Sequence, residues 1–167
     1  MFEYESAIFY YKKSAEHASA GHVPEYEDQC MLKAADLMVL SQLDKFVDAI
    51  KEYEGLAARF LKTPTLRPLA KDTTLKTLLL YLAIDDDVGA SRCMDAYRDQ
   101  DPNFDGSREH VFVKDLINAI SAKNIKLVEQ VLYNYNKLTP FNKLLTKVLT
   151  KIKERIPPEG LAEGGLT

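Results

Sequence analysis

One feature constrains this chain more than any other: a helical pattern that returns about every forty residues. The segments "YESAIFYYKKSAEHA", "FVDAIKEYEGLAARF", "DVGASRCMDAYRDQD" and "LVEQVLYNYNKLTPF" align so that Ala7, Ala49, Ala90 and Gln130 share a column, at spacings of 42, 41 and 40 residues. Four residues later stand Tyr11, Tyr53, Met94 and Asn134. A small residue one turn before a larger one suits a close helix crossing. The pattern weakens toward the C-terminus, as expected of a capping unit. A two-helix unit of this length matches a tetratricopeptide-like repeat. Such units stack neighbour on neighbour and serve mostly as interaction surfaces.

The rest of the chain fits eight helices and no strand. Ala7, Tyr11, Ala15 and Ala18 mark one face of the first helix, which Gly21 and Pro24 end. A second is expected over about 25–40, a third over 43–61 and a fourth from "TPTLRP" to Leu82. The acids of "IDDDV" suit the positive end of a fifth. Asp105 or Ser107 can cap a sixth over 108–121, and a seventh covers 124–136. Thr139 and Pro140 fit the N-cap and first position of an eighth. Pro157 stops it, and "PPEGLAEGGLT" follows. This gives an all-α fold, a tetratricopeptide-like solenoid of antiparallel helix hairpins ending in a C-terminal helical bundle. The domain expectation is one repeat domain over 1–156 and a flexible tail over 157–167.

Composition narrows the function. A net charge of −3 argues against nucleic acid as a partner of the whole surface. Cys30 and Cys93 form no disulfide framework, which suits a reducing, cytoplasmic compartment. The longest apolar run, Leu78–Ile84, is too short for a membrane span. "DQDPNFDGSREH" imitates a calcium loop at Asp99, Asp101, Asn103 and Asp105, but Phe104 replaces the turn glycine and His110 the bidentate glutamate. Asp85, Asp86 and Asp87 lack a facing acidic motif. His17, His22 and His110 have no ligand spacing. No phosphate loop, serine elbow or Cys–His arrangement appears. No enzyme, metal or cofactor is therefore expected. Lys143, Lys147, Lys151 and Arg155 recur every four residues on the last helix and read first as a solvated face, with an acidic partner as the alternative. Gln29, Lys33 and Asp36 form a polar stripe on the second helix. Arg67 and Lys71 lie one turn apart on the fourth.

The order of "SAIFYYKKSAEHA", "QCMLKAADLMVLSQLDKFVDAIKEYE", "LAKDTTLK", "PNFDGSREHVFVKDLINA" and "LTKVLTKIKERI" resembles the soluble NSF attachment proteins, the alpha/beta type more than the gamma type. The resemblance covers essentially the whole chain and the C-terminal part of a typical member. It implies an adaptor that grips the SNARE complex through basic residues and recruits the NSF hexamer, touching membranes only peripherally through its partners. The family's SNARE-facing basic positions fall on Lys33, Lys71 and Arg108, and on Gln29, where the charge is lost. Arg67 and Lys76, on the same helix as Lys71, join the expected SNARE-binding set. Leu166 matches the family's penultimate leucine at the NSF end, with Glu159 and Glu163 as the remaining tail acids. An acidic cluster of the family is replaced by Asn118, Ser121 and Ala122. The resemblance also implies that the chain is a fragment or a shortened form. The alternative reading is a generic tetratricopeptide-like scaffold for peptides.

Overall fold

A computed structural model describes residues 2–41 and 43–158. The described residues form eight α-helices and no strand. They are α1 (Phe2–Ala20), α2 (Pro24–Ser41), α3 (Phe46–Leu61), α4 (Arg67–Ala83), α5 (Asp87–Gln100), α6 (Arg108–Ser121), α7 (Ile125–Leu138) and α8 (Lys143–Glu154). None is long and apolar enough to cross a membrane. The chain divides into two compact units, Met1–Leu80 and Tyr81–Thr167, with the boundary inside α4.

In the first unit, α1 ends where His22 takes a left-handed φ of 56°. The Val23 N–H then reaches back to the Ala18 carbonyl at 2.9 Å, closing a tight helix stop. Pro24 opens α2 at its first position, where its missing N–H costs nothing. The direction of α3 against α2 is fixed by two contacts. Tyr53 meets Asp36, and farther along α3 Arg59 meets Asp28, which lies earlier on α2. The two helices are therefore antiparallel. Ala34, Ala35, Val39, Ala49 and Tyr53 are all fully buried in this unit. Small residues thus set the close crossing that the repeat column anticipates.

In the second unit the same stop recurs at Asp85 (φ 65°) and Lys123 (φ 50°), before α5 and α7. Helix α5 starts on Asp86, whose carboxylate accepts from the Gly89 N–H at 2.7 Å. A Cβ on Gly89 would sit 2.6 Å from the Tyr81 ring and 2.5 Å from the Asp86 carboxylate. Alanine favours a helix interior over glycine by about 1 kcal/mol. Overpacking a tight site costs about 1–3 kcal/mol. Gly89→Ala is therefore expected to lower the melting temperature followed by circular dichroism; an unchanged or raised value contradicts the close approach.

The start of α8 differs from the sequence expectation. Thr139 closes α7 instead, its N–H bonded to the Tyr135 carbonyl at 3.0 Å. Pro140 holds it in extended backbone (φ −135°, ψ 94°). Phe141 then stacks near Tyr135, with centroids 5.7 Å apart, and its N–H bonds Asn136 at 2.9 Å. These contacts pin the connection, so the helix starts later, on Asn142, whose side chain accepts from the Leu145 N–H at 2.8 Å. The basic stripe of α8 also needs correction at Arg155. That side chain is only 15% exposed and pairs with Asp85 and Asp87. It also donates to the Leu82 carbonyl at 2.6 Å. It seals the α4–α5 turn and is not part of a solvated face. Lys151 pairs with Glu154, and Lys153 lies 3.6 Å from Glu129. Burial, and then the neighbouring Lys143, push the Lys147 ammonium below the usual lysine range.

Candidate partner-binding surface

The basic residues singled out from sequence do not behave alike. Lys33 is exposed on α2, as is Gln29 one turn earlier. Arg67 is exposed at the start of α4, and Lys71 is half-buried one turn on. Lys76 is different: it is 9% exposed, and its ammonium lies 3.0 Å from the Asp36 carboxylate. At about 100° per residue, Lys71 points about 140° and Arg67 about 180° away from Lys76. Lys76 therefore cannot share a face with the other two cations of α4.

The Asp36 carboxylate is the hub of a three-helix polar junction. It accepts from the Tyr53 hydroxyl at 2.5 Å and from Lys76 at 3.0 Å. The Lys76 ammonium also stands 5.6 Å from the Tyr53 ring centroid. Burial first, then the Asp36 charge, push the Tyr53 hydroxyl far above the ordinary tyrosine range. The junction locks α2, α3 and α4 in register. Tyr53 and Lys76 are buried in it, so the Lys76 charge is turned inward to Asp36.

In the second unit, Arg108 stands at the first position of α6 on a rigid base. Phe104 is fully buried and meets Tyr97 edge-on, centroids 4.8 Å apart. Gly106 turns with φ 74°, a conformation that side chains disfavour. Its N–H donates to His110 Nδ1 at 3.0 Å, while the Ser107 hydroxyl accepts from the His110 N–H at 3.2 Å. The pair resembles a capping box, except that His110 accepts from the residue before the N-cap and not from the N-cap itself. Two acids of the calcium-like loop, Asp101 and Asp105, have local partners. Asp101 accepts from the Asn103 N–H at 3.2 Å, and Asp105 lies 3.6 Å from Arg98. Among the described residues, no group of three or more His, Cys, Asp or Glu could hold a metal ion.

A cation at a helix start opposes the macrodipole by about 0.3–1 kcal/mol. Helix stability therefore does not ask for Arg108. Its guanidinium lies over the Tyr135 ring, 5.2 Å from the centroid. Beside it a groove of about 260 Å³ runs between α6 and α7, lined by Val111, Phe112, Asp115, Tyr135 and Leu138 among others. Phe112 and Tyr135 stack with centroids 4.1 Å apart and form its floor. Sequence reading missed this groove. The structure reveals it through Val111 and Leu138, apolar residues that are 47% and 71% exposed. Leu166, Glu159 and Glu163 lie outside the described residues.

Comparison with known proteins gives a consistent result. The family model described as "Soluble NSF attachment protein, SNAP" matches residues 1–157. Vesicular-fusion protein SEC17 of Komagataella phaffii is 27% identical, over 100% of this chain and 57% of its own length. Beta-soluble NSF attachment protein of Bos taurus is 26% identical, over 99% of this chain and 55% of its own length. A probable vesicular-fusion protein sec17 homolog of Neurospora crassa is 32% identical, over 88% of this chain and 50% of its own length. The chain spans about half the length of the curated relatives it matches.

Proposed function

Because the chain belongs to the soluble NSF attachment protein family, we propose that it acts as an adaptor, not an enzyme, which binds assembled SNARE complexes and recruits the ATPase NSF for their disassembly in vesicle traffic. The observation that carries this reading is the family match across residues 1–157. The exposure of Lys33, Arg67 and Arg108 supports it, as does the helix-start placement of Arg108, which helix stability does not require. Lys71 completes the proposed SNARE-facing set. Lys76 is left out, because its charge is already bound to Asp36. The protein would work in the cytoplasm and reach membranes only through its partners.

The NSF-facing end is assigned to the tail. We take 1–156 as the helical repeat domain and 157–167 as an extension whose Leu166, with Glu159 and Glu163, meets NSF. Pro157 and Pro158 cannot continue α8. We propose that NSF buries the Leu166 side chain. Burial of a leucine contributes about 1.5–3 kcal/mol, less the entropic cost of association.

The test is Leu166→Ala, with two quantities measured on the same protein. Melting temperature and co-precipitation with assembled SNARE complex are expected to stay unchanged. Stimulation of the NSF ATPase rate is expected to fall about tenfold, the loss of about 1.4 kcal/mol of anchoring. Equal stimulation by wild type and variant would remove Leu166 from the contact. Failure of the wild type to bind SNARE complex would sink the adaptor reading itself.

A further inference from the structure

The groove between α6 and α7 combines three properties that suit a docking surface. Its floor is a stacked aromatic pair, Phe112 on Tyr135. Its rim leaves Val111 and Leu138 exposed to 47% and 71%. Its two ends carry opposite charges on one helix: Arg108 and Asp115 are seven residues apart on α6, about 10 Å along the axis. A volume of about 260 Å³ falls below the roughly 300–1,000 Å³ of small-molecule sites. It suits one or two apolar side chains. Tyrosine and arginine are the residue types that dominate binding hot spots, and here they are paired, with the guanidinium 5.2 Å from the ring centroid.

We propose that this groove docks a single segment of a partner protein, one that seats apolar side chains between a carboxylate facing Arg108 and a cation facing Asp115, about two helical turns away. Charge complementarity selects this occupant. A purely apolar segment would leave both rim charges unanswered, and a uniformly basic one would meet Arg108 as a like charge. An amphipathic helix satisfies the spacing, with apolar residues at i+3 and i+4 between the charged ends. The site goes beyond SNARE recognition by exposed charges and shares only Arg108 with it.

The test uses the full 167-residue chain, labelled with ¹⁵N, and the probe acetyl-EAALLAAK-amide. Saturable shift changes are expected at Val111, Phe112, Tyr135 and Leu138. Arg108→Glu and Leu138→Asp should each weaken binding at least tenfold while the other resonances stay in place. The peptides acetyl-KAALLAAK-amide and acetyl-EAAAAAAK-amide should bind at least tenfold more weakly. Leu138→Asp should leave capture of assembled SNARE complex unchanged, which separates this site from the adaptor reading. The proposal is overturned by shifts that map elsewhere, by no saturable change at millimolar probe, or by equal binding of the dibasic peptide. Groove resonances that move on dilution without peptide would place a second copy there and overturn it as well.

Discussion

Replacing Asp36 by alanine is expected to destabilise the N-terminal unit by about 3 kcal/mol, more than any other single change considered for the fold. Breaking a buried ion pair from one side costs about 3–5 kcal/mol, because the surviving charge stays buried. The lower end applies because the Asp36 side chain keeps 24% exposure, against 10% for Lys76. The Tyr53 hydroxyl loses its acceptor in the same step. In a chain of this length the melting temperature should fall by roughly 6–12 °C. A second variant separates the hub from mere packing. Asp36→Leu combined with Lys76→Met removes both charges and should recover most of the loss, since apolar replacement of a buried pair is often neutral. Equal damage in the single and double variants would mean that shape, not charge, holds the junction. The raised Tyr53 hydroxyl adds a pH dependence. Its stabilising share is intact below the unfolded tyrosine value of about 10 and is lost as pH rises above it. Tyr53→Phe should flatten that alkaline slope.

The second large effect concerns partner binding. Reversal of Lys33, Lys71 and Arg108 together to glutamate is expected to weaken SNARE-complex binding by roughly a hundredfold at low salt. Each such surface charge, exposed or half-buried, contributes about 1 kcal/mol or less, so no single reversal should abolish binding. Three together remove on the order of 3 kcal/mol, which is about two powers of ten. The Debye length shrinks from about 30 Å at 0.01 M salt to about 8 Å at 0.15 M. The gap between wild type and variant should therefore narrow as salt is added. Circular dichroism should report unchanged helicity, because surface substitutions usually stay within about 0.5 kcal/mol. A salt-independent gap would point to misfolding in place of lost charge.

What the sequence made legible was local. Asp86, Ser107 and Asn124 sit at their helix starts, and each accepts the N–H that its type predicts. Of the repeat column, Ala49 and Ala90 are fully buried, Ala7 is half-buried and Gln130 is exposed. What it hid depended on partners far along the chain. Lys76 has Asp72 one turn earlier and reads as a surface pair, yet its main partner, Asp36, is 40 residues away. Arg155 ends a regular basic stripe, yet the carbonyl it seals is 73 residues away. Thr139–Pro140 satisfies the rules for a helix start. Stacking of Phe141 near Tyr135 overrode them, and no pattern within the connection announces that contact. The α6–α7 groove was hidden for the same reason, since its floor comes from two helices.

The adaptor reading is tested most directly by titrating the chain, at low salt, with the assembled four-helix SNARE complex and with each SNARE helix alone. Surface charges spread over a helical scaffold should meet their counterparts only when the acidic helices are bundled. Saturable binding to the assembled complex, at least tenfold tighter than to any single helix, is the predicted result. Equal or tighter binding to an isolated helix or a short terminal peptide would contradict it and favour a general peptide scaffold.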